Sequence, residues 1–349
     1  MNPKEVRLLH LIKSLEIGGI EKSAILLSNH LAEKIGFTGI LAAPGLYSHN
    51  NIVSAKVHLF TLKEKPEGFW SLLKNLPCLL KVIRSNSVNV IMYHHRIFLP
   101  LVILIRLLKP DIKIIYKAHN VFNDRINKFL VADIIIAVSE RVKEDLNDRK
   151  NIIVIIHGIE LPVKNIRNKS HRIKSIGYAG RFHKSKSLDL LISAFNKLCN
   201  NQPQILLKLI GEGTEENRLK KLAKESQCPG RISFYPPHWD EDVIYEKIDL
   251  LVLPSSELEG FGLVLAEAMS RRIPVIVSDF VSSIGFVKDN ITGLIFKNGD
   301  ITDLTEKIAK IISDSELRSK LILNAELYIK KFYTIDKTVN SHLRLLQSF

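Results

Sequence analysis

At 349 residues, 46% hydrophobic and 25% charged, the chain has an ordinary globular composition, and its length exceeds the roughly 250 residues that one core usually fills, so two domains are expected. Disordered, collagen-like and disulfide-scaffold classes are disfavoured on that composition. Three scattered cysteines, Cys78, Cys199 and Cys228, form no C-x-x-C pair, which predicts neither a disulfide framework nor a zinc site and fits a reducing cytosol. The net charge of +14 is uneven: residues 1–163 hold 22 Lys and Arg against 14 Asp and Glu, residues 164–174 hold five basic residues and no acidic one, and the rest is nearly neutral. Such an excess favours an anionic partner: nucleic acid, an anionic membrane or a phosphorylated ligand.

In chain order, Met1 to Leu15 is a charged lead into a strand, without the basic region, apolar core and small-residue cleavage site of an export signal. Short β-branched runs then alternate with amphipathic stretches. Strands are predicted at Arg7 to Ile12, Thr38 to Ala42, His58 to Thr61, Val88 to Tyr93, Lys113 to Lys117, Ile134 to Val138 and Ile152 to Ile156, with helices at Glu21 to Lys34, Trp70 to Ser85, Leu99 to Leu108 and Ser139 to Leu146. The longest apolar stretch, Ile97 to Leu108, is short of the roughly 20 residues a bilayer crossing needs and carries Arg106, so no membrane span is expected.

This alternation makes residues 1–163 a doubly wound α/β domain, and residues 164–174, basic and without a usable period, a linker. The pattern restarts over residues 175–325. Strands are predicted at Ser175 to Ala179, Leu206 to Ile210, Ile232 to Tyr235, Leu250 to Leu253, Val275 to Ser278 and Leu294 to Phe296, between helices at Leu188 to Leu198, Asn217 to Ser226, Asp240 to Lys247, Gly262 to Ser270 and Asp303 to Ser313. Residues 326–349 are expected as a C-terminal helix packing back toward the first domain. The predicted architecture is α/β: two Rossmann-like domains facing across an interdomain cleft, with ligands at the carboxyl ends of the strands.

Four places carry candidate chemistry. In Glu259-Gly260-Phe261-Gly262-Leu263, two glycines before a helical run allow a tight turn and leave N–H groups at a helix start, which suits an anion. Glu267 follows Glu259 by eight residues, a little over two helical turns, so both carboxylates can face one ligand; an anion site beside hydroxyl-binding carboxylates suggests a nucleotide sugar. Gly180-Arg181-Phe182-His183-Lys184-Ser185-Lys186 follows a predicted strand and gathers three cations where phosphates would lie. Gly18-Gly19 also follows a strand, but without a full G-x-G-x-x-G or a ribose-binding acid, so a nicotinamide cofactor is poorly supported. His94-His95 and His119-Asn120 each close a predicted strand and are expected to point toward a ligand. Metal binding is disfavoured, because no carboxylate lies at ligand spacing beside these histidines and the chain is expected to hold no D-x-D triplet anywhere.

Taken together, Gly18-Gly19-Ile20-Glu21-Lys22, His119, Ala132-Asp133 with Val138-Ser139, Gly180-Arg181 with Lys186, Gly211-Glu212-Gly213, Asp249 with Leu253-Pro254-Ser255, the E-x7-E pair and Thr292-Gly293-Leu294 resemble the family 4 glycosyltransferases of the GT-B architecture over nearly the whole chain. The resemblance implies a glycosyltransferase, of hexosyltransferase type, that moves a sugar from a nucleotide diphosphate donor with retention and without a divalent metal or other cofactor. It implies that Arg181 and Lys186 neutralise the diphosphate, that Glu259 and His119 face the donor sugar, and that Glu267 holds the ribose. Gly18, Gly19, Gly180 and the backbone of Phe261, Gly262 and Leu263 would complete the donor site. The acceptor implied is a saccharide or lipid-linked saccharide, as in bacterial surface polysaccharide, O-antigen, lipopolysaccharide or capsule synthesis. A cytoplasmic location is expected, and the basic excess of residues 1–174 with the apolar, basic segments Trp70 to Arg84 and Ile97 to Lys109 is expected to rest peripherally on the anionic inner face of the membrane.

Three departures stand out. The family's Pro-Asn-Gly-Ile-Asp segment reads Ile156-His157-Gly158-Ile159-Glu160, the glycine after the phosphate lysine is Ser187, and a glycine near the base pocket is replaced in Tyr235-Pro236-Pro237-His238. Two other readings compete. A sugar-nucleotide epimerase of the same plan needs further acid and base groups at the sugar, and the E-x7-E turn argues for transfer. A basic nucleic-acid-binding protein rests on charge alone, without aromatic-interleaved basic strands, so no nucleic-acid partner is expected.

Overall fold

The computed structural model describes residues 1–45, 47, 53–121, 130–146, 151–163, 172–257, 259–282 and 285–349. It forms two compact units, Met1–Gly158 together with Ile335–Phe349, and Ile159–Thr334.

In the first unit seven parallel strands, β1 (Arg7–Ser14), β2 (Phe37–Ala43), β3 (His58–Thr61), β4 (Val90–Tyr93), β5 (Lys113–Ala118), β6 (Ile134–Ala137) and β7 (Ile152–Val154), lie in the order β3-β2-β1-β4-β5-β6-β7. The interior strands are buried along nearly their whole length, as strands covered on both faces must be, whereas the edge strand β3 is largely exposed. Helices α1 (Gly19–Leu31), α2 (Phe69–Ser85), α3 (Leu99–Leu108) and α4 (Glu140–Asp145) connect them.

In the second unit β8 (Ser175–Ala179), β9 (Leu206–Ile210), β10 (Ile232–Tyr235), β11 (Leu250–Leu253), β12 (Val275–Ser278) and β13 (Leu294–Phe296) form a parallel sheet ordered β10-β9-β8-β11-β12-β13. Its helices are α5 (Leu188–Cys199), α6 (Glu216–Lys224), α7 (Glu241–Tyr245), α8 (Leu263–Ser270), α9 (Asp279–Ser282), α10 (Ile301–Ser313) and α11 (Ser315–Phe332). A last helix, α12 (Ile335–Gln347), belongs to the first unit and seals one face of its sheet: Ile335, Val339 and Leu346 join Leu8, Met92 and Ile115 in one apolar cluster.

The structure alters three expectations. The second unit begins at Ile159 rather than after residue 163, because Ile159 N–H donates to the Tyr333 carbonyl (2.9 Å) and bridges to Thr334; residues 164–171 of the expected linker lie outside the described residues. The segment 326–349 is two helices rather than one, α11 ending at Phe332 and α12 starting at Ile335 in the other unit. Cys199 and Cys228, expected to be unpaired, are joined in a disulfide with Cα atoms 6.5 Å apart, because α6 packs on α5 and brings together residues 29 apart in sequence. Among the described residues no helix is long and apolar enough to cross a membrane.

Candidate active site

At the carboxyl edge of the second sheet, glycine backbone makes close loop packing possible. Gly180 follows β8 with φ +144°, and a Cβ there would lie 2.9 Å from the Tyr178 hydroxyl. Gly211 and Gly213, at φ +146° and +154°, sit where a Cβ would run into the carbonyls of Gly180 and Phe182. That approach lets Phe182 N–H donate to Glu212 O (2.7 Å) and Glu215 N–H to Phe182 O (3.1 Å), which ties the loops after β8 and β9 together. Arg181 is left exposed on this tied loop, with its carbonyl accepting from Tyr178 Oη (2.9 Å).

Lys186 reaches the other half of the site. Its Nζ pairs with Glu259 Oε1, which also accepts from Ser255 Oγ (2.8 Å). Ser256 N–H donates to Ser185 O (2.9 Å), so the loop after β11 is bonded to the loop after β8. Gly262, at φ +73°, caps α8 in the left-handed region, and no side chain caps that helix start. Phe261 is buried against Phe286 and Tyr333, with ring centroids 5.4 and 6.0 Å away, which anchors the turn; half-buried Leu263 opens the helix. Glu267, two turns on and 3% exposed, accepts from Tyr245 Oη (2.7 Å). Burial, reinforced by the charges of Glu267 and Glu241, holds the Tyr245 hydroxyl well above its ordinary value, so it remains a donor.

The structure therefore brings Arg181, Lys186, Glu259, Phe261, Gly262, Leu263 and Glu267 to one edge of one sheet, with Gly180 making the approach possible. The sequence reading missed Tyr245, which leaves no local signal because it meets Glu267 only through folding, whereas Ser255, quoted with Leu253 and Pro254, bonds Glu259 four residues on. Ser187 has φ +48°, the left-handed conformation that explains the glycine of the common motif.

In the first unit Gly18 and Gly19 begin α1 just past β1, where a Cβ on Gly18 would meet the Glu21 carboxylate. His94 and His119 do not extend outward as ligands. Both are buried, and they join a row of ring-to-ring hydrogen bonds: His10 Nδ1 to His94 Nε2 (2.9 Å), His94 Nδ1 to His119 Nε2 (2.9 Å), and His119 Nδ1 to His157 Nε2 (3.1 Å). The strand period produces this row. Leu8, Met92, Ile115 and Ile155 line the face under α12, and two residues further on the same face carries His10, His94, Lys117 and His157. Lys117, fully buried, meets His342 Nε2 of α12 at 3.4 Å; burial pushes the lysine down to about 7, and burial keeps His94, His119, His157 and His342 well below the ordinary histidine value. His95 turns aside and faces Glu21 (3.5 Å).

Several quoted motif residues are structural. Asp249 precedes β11 and accepts from Lys174 N–H (2.9 Å) and Ser175 N–H (2.8 Å), at the amino end of the sheet. Asp133 does the same before β6, accepting from Ile114 N–H (2.7 Å) and Arg106 (2.7 Å). Thr292 bonds Phe286 O (2.9 Å) within its own turn. The expectation of no D-x-D triplet is corrected: Asp240-Glu241-Asp242 is one. Its carboxylates are engaged, Asp240 accepting from Asp242 N–H (2.9 Å), while Glu241 and Asp242 pair with Arg271 at 2.7 and 2.9 Å. Among the described residues no cluster of three or more His, Cys, Asp or Glu is arranged to hold a metal.

Two Rossmann-like units in tandem, the second with cations and carboxylates on its carboxyl edge, define a two-domain α/β architecture of parallel sheets. Family models match both: "Glycosyl transferases group 1" over residues 159–328 and "Glycosyltransferase Family 4" over residues 17–161. The chain belongs to the family 4 glycosyltransferases, with the GT-B fold, and is a glycosyltransferase. It is 27% identical to an uncharacterized glycosyltransferase of Haemophilus influenzae over 74% of this chain and 76% of that one. It is 29% identical to the lipopolysaccharide core biosynthesis mannosyltransferase LpsB of Rhizobium meliloti, over 56% of this chain and 59% of the relative. Anabaena HepE, solved in complex with UDP and glucose, shares the fold at TM-score 0.80 and 19% identity, covering 99% of this chain and all of HepE.

Proposed function

We propose that the protein transfers a sugar, with retention of configuration, from a nucleotide diphosphate sugar to a saccharide or lipid-linked saccharide in bacterial surface-polysaccharide synthesis. The observation that carries this reading is the Lys186–Glu259 pair beside exposed Arg181 at the start of α8, with Glu267 buried two turns further along. Departure of a nucleoside diphosphate builds negative charge on the leaving phosphate. Fixed cations and a helix start stabilise that charge without a metal, so the reaction is read as metal-independent, and no protein nucleophile is required. Arg181 and Lys186 take the phosphates, Glu259 the sugar hydroxyls and Glu267 the ribose, while His119, Gly18 and Gly19 serve the sugar and acceptor side. LpsB, by name a mannosyltransferase of lipopolysaccharide core biosynthesis, supports the pathway, and the UDP held by HepE supports a nucleotide-sugar donor.

The membrane-side reading rests on α2 and α3. Phe69, Trp70, Leu107 and Leu108 are exposed there, Trp70 at 75%, near Lys74, Lys81, Arg84 and Lys109. Apolar side chains among cations suit an anionic leaflet on the cytoplasmic face, at roughly 1 kcal/mol per well-placed cation. The deciding experiment is transfer with a panel of nucleotide sugars, with and without EDTA. Arg181→Ala and Lys186→Ala should each lower kcat by on the order of 100-fold in folded protein. Full activity in both variants, or loss with EDTA that manganese restores, refutes the reading. Equal sedimentation with anionic and neutral vesicles at low salt removes the membrane contact.

A further inference from the structure

The row of histidines in the first unit does more than fill space. Each of its three contacts joins Nδ1 of one ring to Nε2 of the next, so one proton order serves the whole row: every ring is protonated on Nδ1, or every ring on Nε2. Both ends of the row are buried, and the His10 end decides between them. Among the described residues, His10 Nε2 is buried with no hydrogen-bond partner. If the protons sit on Nδ1, that atom is an unfilled acceptor; if they sit on Nε2, it is a buried N–H with nothing to receive it, the rarer and costlier defect.

The row also resists charge. A proton added to an inner ring turns its accepting nitrogen into a donor aimed at its neighbour's N–H. Among the described residues, the charged and titratable groups bearing on His119 are basic: Lys117 of β5, His94 after β4, His157 after β7 and His95. His342 of α12 faces Lys117 from above. Stacked or tilted rings with centroids 5.1–5.2 Å apart leave little room for a flip.

We propose that His94 and His157 are positioning residues that lock His119 as a neutral ring protonated on Nδ1, donating to His157 and accepting from His94. Both ring nitrogens of His119 are spent within the row, so a meeting of the ring edge with the donor sugar rests on the function proposed above; its tautomer does not. The common motif has asparagine at the place of His157, and an asparagine carbonyl can accept the same Nδ1–H, so the position calls for an acceptor rather than for histidine itself.

Long-range proton–nitrogen NMR of the full chain labelled with 15N-histidine, assigned through single variants, reads the tautomer directly. His94 and His119 should carry the proton on Nδ1 and stay neutral well below the ordinary histidine value, because burial disfavours their charged forms. In His157→Phe, His119 should exchange between tautomers and titrate upward toward that value, and kcat/KM should fall at least ~10-fold with its acid limb moved to higher pH. His157→Asn should restore the wild-type tautomer and bring kcat/KM within about threefold of wild type. Protonation of His119 on Nε2 in the wild type overturns the proposal, and this measurement needs no variant of His157. An unchanged His119 spectrum in His157→Phe overturns it as well. Wild-type protein inactive with every nucleotide sugar tested, but with the expected spectrum, would refute the donor reading and leave the lock standing.

Discussion

Lys117→Met tests the energetics of the first unit most directly. The ammonium of Lys117 is fully buried on β5, and desolvation alone brings it from 10.5 to about 7. A base whose value is depressed in the folded state costs nothing above its unfolded value, and its full penalty is present below its folded value. Wild-type stability should therefore fall as pH drops from about 10.5 to about 7 and then level off with respect to this group. The shift corresponds to a penalty on the order of 5 kcal/mol, accumulating at about 1.4 kcal/mol per pH unit. Methionine of similar length removes the charge and leaves His342 Nε2 without its contact at 3.4 Å, a loss of about 1 kcal/mol that does not vary with pH in this window. The diagnostic is thus the slope. Urea unfolding from pH 7 to 10, with hydrogen exchange assigning the transition to the sheet containing β5, should show wild type gaining stability steeply with pH while Lys117→Met stays flat and is the more stable at pH 7. Parallel curves would refute the assignment of a buried ammonium at this position.

Three further outcomes are expected. Ser187 adopts φ +48°, so Ser187→Gly should stabilise the second unit by about 1 kcal/mol, read as a rise in urea midpoint; a destabilised variant would contradict the strain. Tyr245→Phe removes the donor to buried Glu267 Oε2, which should weaken nucleoside diphosphate binding by roughly tenfold in a calorimetric titration, and unchanged affinity would detach Glu267 from the ligand. Burial holds His10 down to about 3, so its contribution to stability is complete above about 6.5 and is lost as pH falls toward 3; His10→Phe should shift acid unfolding of the first unit to lower pH.

Both sheets were legible in the sequence because each strand is a short β-branched run between helical stretches, and parallel strands buried on both faces need no partner to be recognised. The loops of the candidate site were legible for a similar reason: Gly180, Gly262, Arg181 and Lys186 sit at fixed distances from strand ends, and Glu267 lies a fixed number of turns from Glu259. Such signals are local, so the chain carries them before it folds.

Tertiary structure decided the rest. Nothing near Ile335 in sequence says that α12 returns to the first unit, because the apolar face it covers is made by residues far earlier in the chain, from Val6 to Ile155. The Cys199–Cys228 disulfide, the donation of Tyr245 to Glu267 and the row from His10 to His157 likewise join residues 22 to 84 positions apart. A histidine at a strand end has the same local signature whether it faces a ligand or another histidine. Which it meets depends on strand order, and in a parallel sheet that order is set by crossover connections and by which helix covers which face, neither of which is written in the spacing of any one segment.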